Sequence, residues 1–599
     1  MTAHHSEGDR PLVLGPEDLP LVEKIPLAER DLPASTYDLI SRTAAAHPDA
    51  PALHLLGENG RHWSEPDTWS YADLLRNVHR MAHALTAAGL RPGGTSALLL
   101  PSTGMTYAAL LAAQAIGVAN PVNPMLSEEH IADILTLTKA EVLVTVPALA
   151  EKARSVADRV GDRMVLLVIG ADDQGHPDDA LPTGRRPHPG DIAAYFHTGG
   201  TTGTPKVAPH THAMEVYMAW ALGSTGGFLG DAVPLAGLPL FHVNAVHVTG
   251  LAPFMHGRPV VSLGPLGYRD RTLMPDFWRI VERFRVTSFS AVPTVYAMLP
   301  PIPGDADLSS LRAGAVGAAP LPSRVRSGFE SAAKVPMLEG YGLTEATCAT
   351  TATPAFAPRP GSVGMRLPYQ HVKAVRVDAD DRPAGDCEPG EVGVLAVGGP
   401  SVFPGYLGPN GPDPSGKVFD GWLLTGDLGR VDDDGYVYLT GRAKDLIIRG
   451  GHNIDPRPVE ESLLAHPLVT GAAVIGRPDP HSGEIPVAYV TTAATITEGD
   501  LLAWARDHAP EPAAAPKAVH VIDELPVTTV GKPYKPALLA DSVRRLVLAE
   551  MANHNVAGTV EVALRDGHPF AEIHTGEGDL EGLSAALDRY PFSHRLERS

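Results

Sequence analysis

Between Tyr195 and Lys206 the chain reads Tyr-Phe-His-Thr-Gly-Gly-Thr-Thr-Gly-Thr-Pro-Lys, placing three glycines, four threonines and one lysine directly after an apolar, strand-like run. Such a segment suits anion binding: Gly199, Gly200 and Gly203 let the backbone turn its N–H groups toward a phosphate. The hydroxyls of Thr198, Thr201, Thr202 and Thr204 add donors, and Lys206 adds a mobile charge. It does not follow the common P-loop pattern, because no Gly-Lys-Ser/Thr closes it, so a nucleotide has to be gripped in another way.

Further motifs follow in fixed order: Gly317-Ala318-Ala319-Pro320, then Glu339-Gly340-Tyr341-Gly342-Leu343-Thr344-Glu345, Thr425-Gly426-Asp427, Gly441-Arg442 through Ile454, and Thr528 to Lys532. Taken together, this series resembles the AMP-forming acyl-CoA synthetases of the acyl-adenylate-forming superfamily, over about residues 30 to 545. One short motif would be weak support; six in order make a chance match improbable.

The resemblance implies roles. The Thr198 to Lys206 loop would hold the β- and γ-phosphates of ATP, Thr344 would contact phosphate, and Glu345 would help hold Mg²⁺. Tyr341 would offer a face to adenine, with Gly317, Ala318, Ala319 and Pro320 opposite, and Glu339, Gly340 and Gly342 completing that wall. Asp427 and Arg442 would take the ribose hydroxyls. Lys532 would be the catalytic lysine, its ammonium stabilising charge that grows between carboxylate and α-phosphate. Lys444 would be the hinge about which a small domain rotates, bringing Gly450 and Gly451 to line the passage for the pantetheine of CoA. The acyl pocket would draw on His242 as gate beside the reacting carboxylate, with Val243, Asn244, His247, Val292 and Tyr296. A metal reading of His210, His212, His242 or His247 is disfavoured, since no Cys or carboxylate at ligand spacing joins them. His247 is a polar intrusion in a mostly apolar lining, and Gly199 and Val207 depart from the usual residues of the loop.

Organisation agrees with an α/β enzyme. Ser70 can cap a helix with apolar residues at helical spacing from Leu74 to Leu85, ended by Gly89. Strand-like runs at Ser96 to Leu100, Glu141 to Val146 and Met164 to Ile169 alternate with helix-like ones such as Tyr107 to Ile116. Ala171 to Gly190 and Pro404 to Gly416 read as surface loops. The expected architecture is a large N-terminal multi-sheet α/β domain (31–441) after an N-terminal extension (1–30), then a small mobile C-terminal α+β domain (442–546). Residues 547–599 are expected as an appended module of unassigned role, strand, turn, strand and helix, with a strand pair packing on the small domain as the favoured reading.

A formal charge of −21 excludes a protein that neutralises nucleic-acid phosphates over a broad basic face. Two cysteines imply no disulfide framework, and a polar start with no run long enough to span a bilayer gives the cytoplasm as the expected location. The expected reaction joins a small-molecule carboxylate, fatty or otherwise hydrophobic, to CoA with ATP and Mg²⁺. Other readings are a carrier-protein thiol or amine as acceptor, nitrite as substrate, or a non-catalytic nucleotide-binding protein; intact Lys206, Glu345 and Lys532 speak against the last. Monomer and homodimer both remain open.

Overall fold

Where the sequence expects a helix after Ser70, the chain forms one over Tyr71–Ala87. Ser70 and Asp73 close a capping box that satisfies two of the N–H groups a helix start leaves open, and Leu74, Val78, Met81, Ala82 and Leu85 point into the core. Helix Gly104–Ile116 is apolar on nearly every side and is buried along almost its whole length. The computed structural model describes residues 12–598 apart from 59, 162–163, 183, 185, 199–205, 228–229, 320, 451, 529–531, 566–567 and 577.

These helices cover two sheets of the large domain. One has six strands in the order Val165–Val168, Ala140–Thr145, Thr95–Leu98, Val118–Pro121, Ile192–Thr198, Lys206–Thr211, parallel except for the last. The other has nine, with a parallel centre running Met337–Tyr341, Ala313–Val316, Ser288–Ala291, Pro234–Ala236, Val260–Ser262, Pro51–Leu55. Parallel strands read as short apolar runs, which is why those at Ser96 to Leu100, Glu141 to Val146 and Met164 to Ile169 were legible, whereas the short strands of the nine-stranded sheet were not read. A third, antiparallel sheet pairs Trp422–Val431 with Gly393–Gly398 on one side and Val437–Arg442 on the other.

The small domain wraps helices Pro456–Leu464 and Glu498–His508 against strands led by Val469–Asp479 and Gly483–Thr492. Among the described residues no helix is long and apolar enough to cross a membrane.

The structure adds to the expected organisation at three places. Residues 12–30 are docked on the large domain: Val13, Leu19 and Val22 pack with Met365, and Glu23 pairs with Arg366 and accepts from the Tyr369 amide at 2.6 Å. Helix Lys535–Asn553 runs unbroken through the expected 546/547 boundary. Val543, Val547 and Met551 on that helix bury against a three-stranded sheet, Gly558–Arg565, His568–Thr575 and Ser593–Arg598, with helix Leu580–Leu587. The last strand escaped sequence reading because Ser-His-Arg-Leu-Glu-Arg carries no apolar alternation. The Pro404 to Gly416 stretch, expected as a plain loop, contains a small hairpin of Tyr406–Gly408 and Gly411–Asp413.

Candidate active site

Parallel strands of open sheets present binding loops at their carboxyl ends. Four adjacent strands of the nine-stranded sheet do so here: Met337–Tyr341 runs into Gly342 to Glu345, Ala313–Val316 into Gly317 to Pro320, Ser288–Ala291 into Val292 to Tyr296, and Pro234–Ala236 into the segment holding His242. In the six-stranded sheet, Ile192–Thr198 delivers the threonine-rich loop. Motifs far apart in sequence thereby meet in one crevice.

Of that loop, Gly199, Gly200, Thr201, Thr202, Gly203 and Thr204 lie outside the described residues, as do Pro320 and Gly451. Its ends, Thr198 and Lys206, are direct partners across the hairpin. The Lys206 ammonium sits 5.0 Å from the centre of the Tyr406 ring, whose hydroxyl donates to Glu345 Oε1 and also bonds Thr198. Tyr406 is a site residue the sequence reading missed; its neighbourhood of Pro, Gly and Asp signals a loop and hides the hairpin that aims it.

Around the expected nucleotide wall, an added Cβ on Gly317 would come within 3.2 Å of the Gly340 carbonyl, a tight approach that leaves little room for a side chain. Ala318 has φ +69°, a left-handed conformation that alanine adopts at a cost and that clusters at ligand sites. Tyr341 is buried, and its hydroxyl donates to Asp427 Oδ2 at 2.7 Å. The other oxygen of Asp427 accepts from Arg442 Nε at 2.9 Å, because the two residues are register partners across adjacent strands. Glu339, by contrast, spends its carboxylate on Arg326.

Lys532 reaches this crevice from the small domain, on a loop pinned by Thr528 N–H to Lys532 carbonyl at 2.7 Å and Lys532 N–H to Thr528 Oγ1 at 3.2 Å. Burial and then the Arg442 guanidinium push its ammonium down to about 8, while Asp427 and Glu345 pull the other way. His242 feels Lys532 too: burial first, then His197 and Lys532, lower its imidazole to about 3, so it is neutral. Its Nε2 is buried and, among the described residues, has no hydrogen-bond partner. Lys444 lies in the short turn Ala443–Asp445 just after Arg442, and Gly450, at φ +58°, makes the turn of the hairpin Ile447–Arg449 to His452–Ile454.

Two pocket expectations are corrected. His247 does not face a pocket: it is wholly buried, its Nε2 3.1 Å from Glu215 Oε2 and its Nδ1 donating to the Val243 carbonyl at 2.8 Å. Burial opposes its charge, but the Glu215 carboxylate wins and raises it to about 10. Tyr296 turns into the second core, stacked on Phe289 and with its hydroxyl within bonding distance of the Phe289 and Ala315 carbonyls. Val292 is also buried; Val243 and Asn244 stay part exposed, with Asn244 bonded to Ser290. The statement that no carboxylate joins the histidines is likewise overturned, since Glu215 sits between His210 and His247. Helix His212–Gly223 supplies it, buried on nearly every side so that no amphipathic pattern marks it.

Comparison with known proteins bears directly on this arrangement. The family model for AMP-binding enzymes matches residues 40–407, and the model for their C-terminal domain matches residues 458–532. The chain belongs to the AMP-binding enzymes. Members similar to it include a marinolic acid–CoA ligase of Pseudoalteromonas sp., 39% identical over 90% of this chain and 86% of that protein. A sulfoacetate–CoA ligase of Cupriavidus necator is 34% identical over 84% and 96%. The crystal structure of ATP-bound MatB from Rhodopseudomonas palustris superposes with a TM-score of 0.74 at 28% identity, covering 84% of this chain and 98% of that one. Like the chain's relatives, this AMP-binding enzyme works with ATP, Mg²⁺ and CoA. Its donors fit them: a carboxylate, Glu345, beside the phosphate loop suits Mg²⁺, which takes one or two carboxylates together with phosphate oxygens.

Proposed function

We propose that this AMP-forming acid–thiol ligase activates a hydrophobic carboxylic acid, in the cytoplasm, using the residues gathered at the crevice. The observation that carries the reading is the convergence of Lys532, from the small domain, on Asp427, Arg442, Glu345 and His242 of the large one.

Attack of a carboxylate on the α-phosphate of ATP brings two anions together, so the site has to neutralise charge and align the reactants. Asp427, held by Tyr341 and Arg442, has its oxygens fixed to accept from the ribose hydroxyls. Lys206 and the threonines beside it would take the outer phosphates, and Glu345, oriented by the Tyr406 hydroxyl, would hold Mg²⁺, which neutralises phosphate charge when bound. Lys532 would place its ammonium between the carboxylate oxygen and the α-phosphate. Neutral His242, with an unused nitrogen, would steady the acyl carboxylate. Rotation about Lys444 would then withdraw Lys532 and bring the Gly450 turn toward the site for the thiol of CoA.

The two curated relatives are named for acids as unlike as marinolic and sulfoacetic acid, so the reading of the acid rests on residues. Phe241, its ring centre 4.6 Å from that of His242, and Val243 put apolar groups next to the gate, and His247, a polar residue expected in the pocket, is turned away. The experiment is pyrophosphate release across acetate, octanoate, palmitate, benzoate, cinnamate and sulfoacetate, with and without CoA. A hydrophobic acid should lead acetate and sulfoacetate by at least tenfold in kcat/KM, since each buried methylene contributes about 0.8 kcal/mol. Preference for acetate or sulfoacetate would sink the assignment.

A further inference from the structure

A buried cluster of two histidines and a carboxylate takes no part in the chemistry just described. His210, Glu215 and His247 are each wholly shielded from solvent. His210 Nδ1 is 3.2 Å from Glu215 Oε1, and His247 Nε2 is 3.1 Å from Glu215 Oε2. The outer nitrogens both meet backbone carbonyls: His210 Nε2 lies 2.7 Å from the Thr344 oxygen and His247 Nδ1 2.8 Å from that of Val243. A carbonyl only accepts, so both outer nitrogens carry protons and the inner ones face the carboxylate.

The positions of those two carbonyls matter more than the ion pair. Thr344 belongs to the turn that presents Glu345, and Val243 follows His242 at the acyl gate. Strand Lys206–Thr211, which leaves the phosphate loop, carries His210. Glu215 therefore joins three walls of the crevice through two short links.

We infer that Glu215 is a positioning residue: through His210 and His247 it holds the Thr344 turn and the Val243 gate in fixed register, and so aligns the acyl carboxylate with the α-phosphate. A buried charged group held only by packing would cost stability and give nothing back, whereas one that ends on two functional backbone segments fixes geometry. Alignment is where small displacements are expensive, a shift of 1 Å being worth on the order of a hundredfold in rate.

The inference rests on the adenylation reading, and the test separates the two. Acid-dependent ATP–pyrophosphate exchange is measured with the fastest acid of the panel for the wild type, Glu215→Gln, His210→Leu and His210→Gln, each normalised to active sites by burst amplitude and accompanied by a melting curve and elemental analysis for metals. In Glu215→Gln and His210→Leu, kcat should fall on the order of 10- to 100-fold with KM for ATP and acid within about threefold, as expected for lost alignment. His210→Gln, which keeps a donor for the Thr344 carbonyl, should recover most of the loss; this rescue decides the matter even if Glu215→Gln fails to fold. Wild-type kcat in folded variants, or equal losses in His210→Leu and His210→Gln, would overturn the inference. One stoichiometric divalent ion in the wild type that disappears in Glu215→Gln would also overturn it, making the cluster a metal site. No exchange in the wild type would instead sink the adenylation reading itself.

Discussion

At the scale of single residues, the site is a contest between burial and charge. Lys532 is pushed down to about 8 by burial and by Arg442, so its ammonium persists below that pH and is lost as pH rises through it. Adenylation kcat/KM should therefore fall above about pH 8, and Lys532→Ala should lower it on the order of a hundredfold while flattening that limb. Thioester formation from pre-made acyl-adenylate should survive the same substitution; equal loss of both half-reactions would remove Lys532 from the chemistry. His247 poses the opposite problem, a charge kept because a buried carboxylate demands it. His247→Leu leaves Glu215 half compensated and should lower unfolding stability by about 3–5 kcal/mol, read as a drop in melting temperature. A stable variant with an altered acid profile would restore His247 to the pocket.

At the scale of elements, helix Lys535–Asn553 does two jobs along its length. Leu538 packs on the small-domain sheet, while Val543, Leu546, Val547 and Met551 serve the tail sheet. Val547 is fully buried, so Val547→Asp puts an unpaired carboxylate into the tail core and should open it. Limited proteolysis should then cut the chain between Asn553 and Leu580, with ATP–pyrophosphate exchange retained because the crevice lies elsewhere. Resistance to cleavage would mean that the tail is held by something other than this core. The same logic of faces explains Tyr406: a three-residue strand pairing with Gly411–Asp413 turns its ring toward Lys206 and its hydroxyl toward Glu345.

At the scale of the whole molecule, Lys532 of the small domain stands beside Asp427 and Arg442 of the large one, and the proposed function has it leave before a thiol enters. Lys444 sits two residues past Arg442 in the turn that links the domains. Lys444→Pro restricts φ there and should slow rotation without touching the nucleotide contacts. First-turnover pyrophosphate release should persist while steady-state thioester formation drops at least tenfold. Wild-type rates in both would place the hinge elsewhere.

The fold class, the helix after Ser70, three strands of the six-stranded sheet and the order of the nucleotide motifs were legible in the chain because each depends on local spacing, glycine freedom or hydrophobic period. Asp427 and Arg442 could be named from their motifs, but that they face one another is a matter of strand register. His247 reads as an apolar pocket's polar intruder until Glu215, thirty-two residues earlier and on a helix with no amphipathic signature, is brought against it. Tyr406 and the strand Ser593–Arg598 owe their roles to pairing partners, not to their own pattern. Sequence alone determined which chemical groups this enzyme possesses and in what order, since those follow from local physics. Only the tertiary structure decided which of them meet, because burial, pairing and charge compensation are properties of neighbours that the chain brings together by folding.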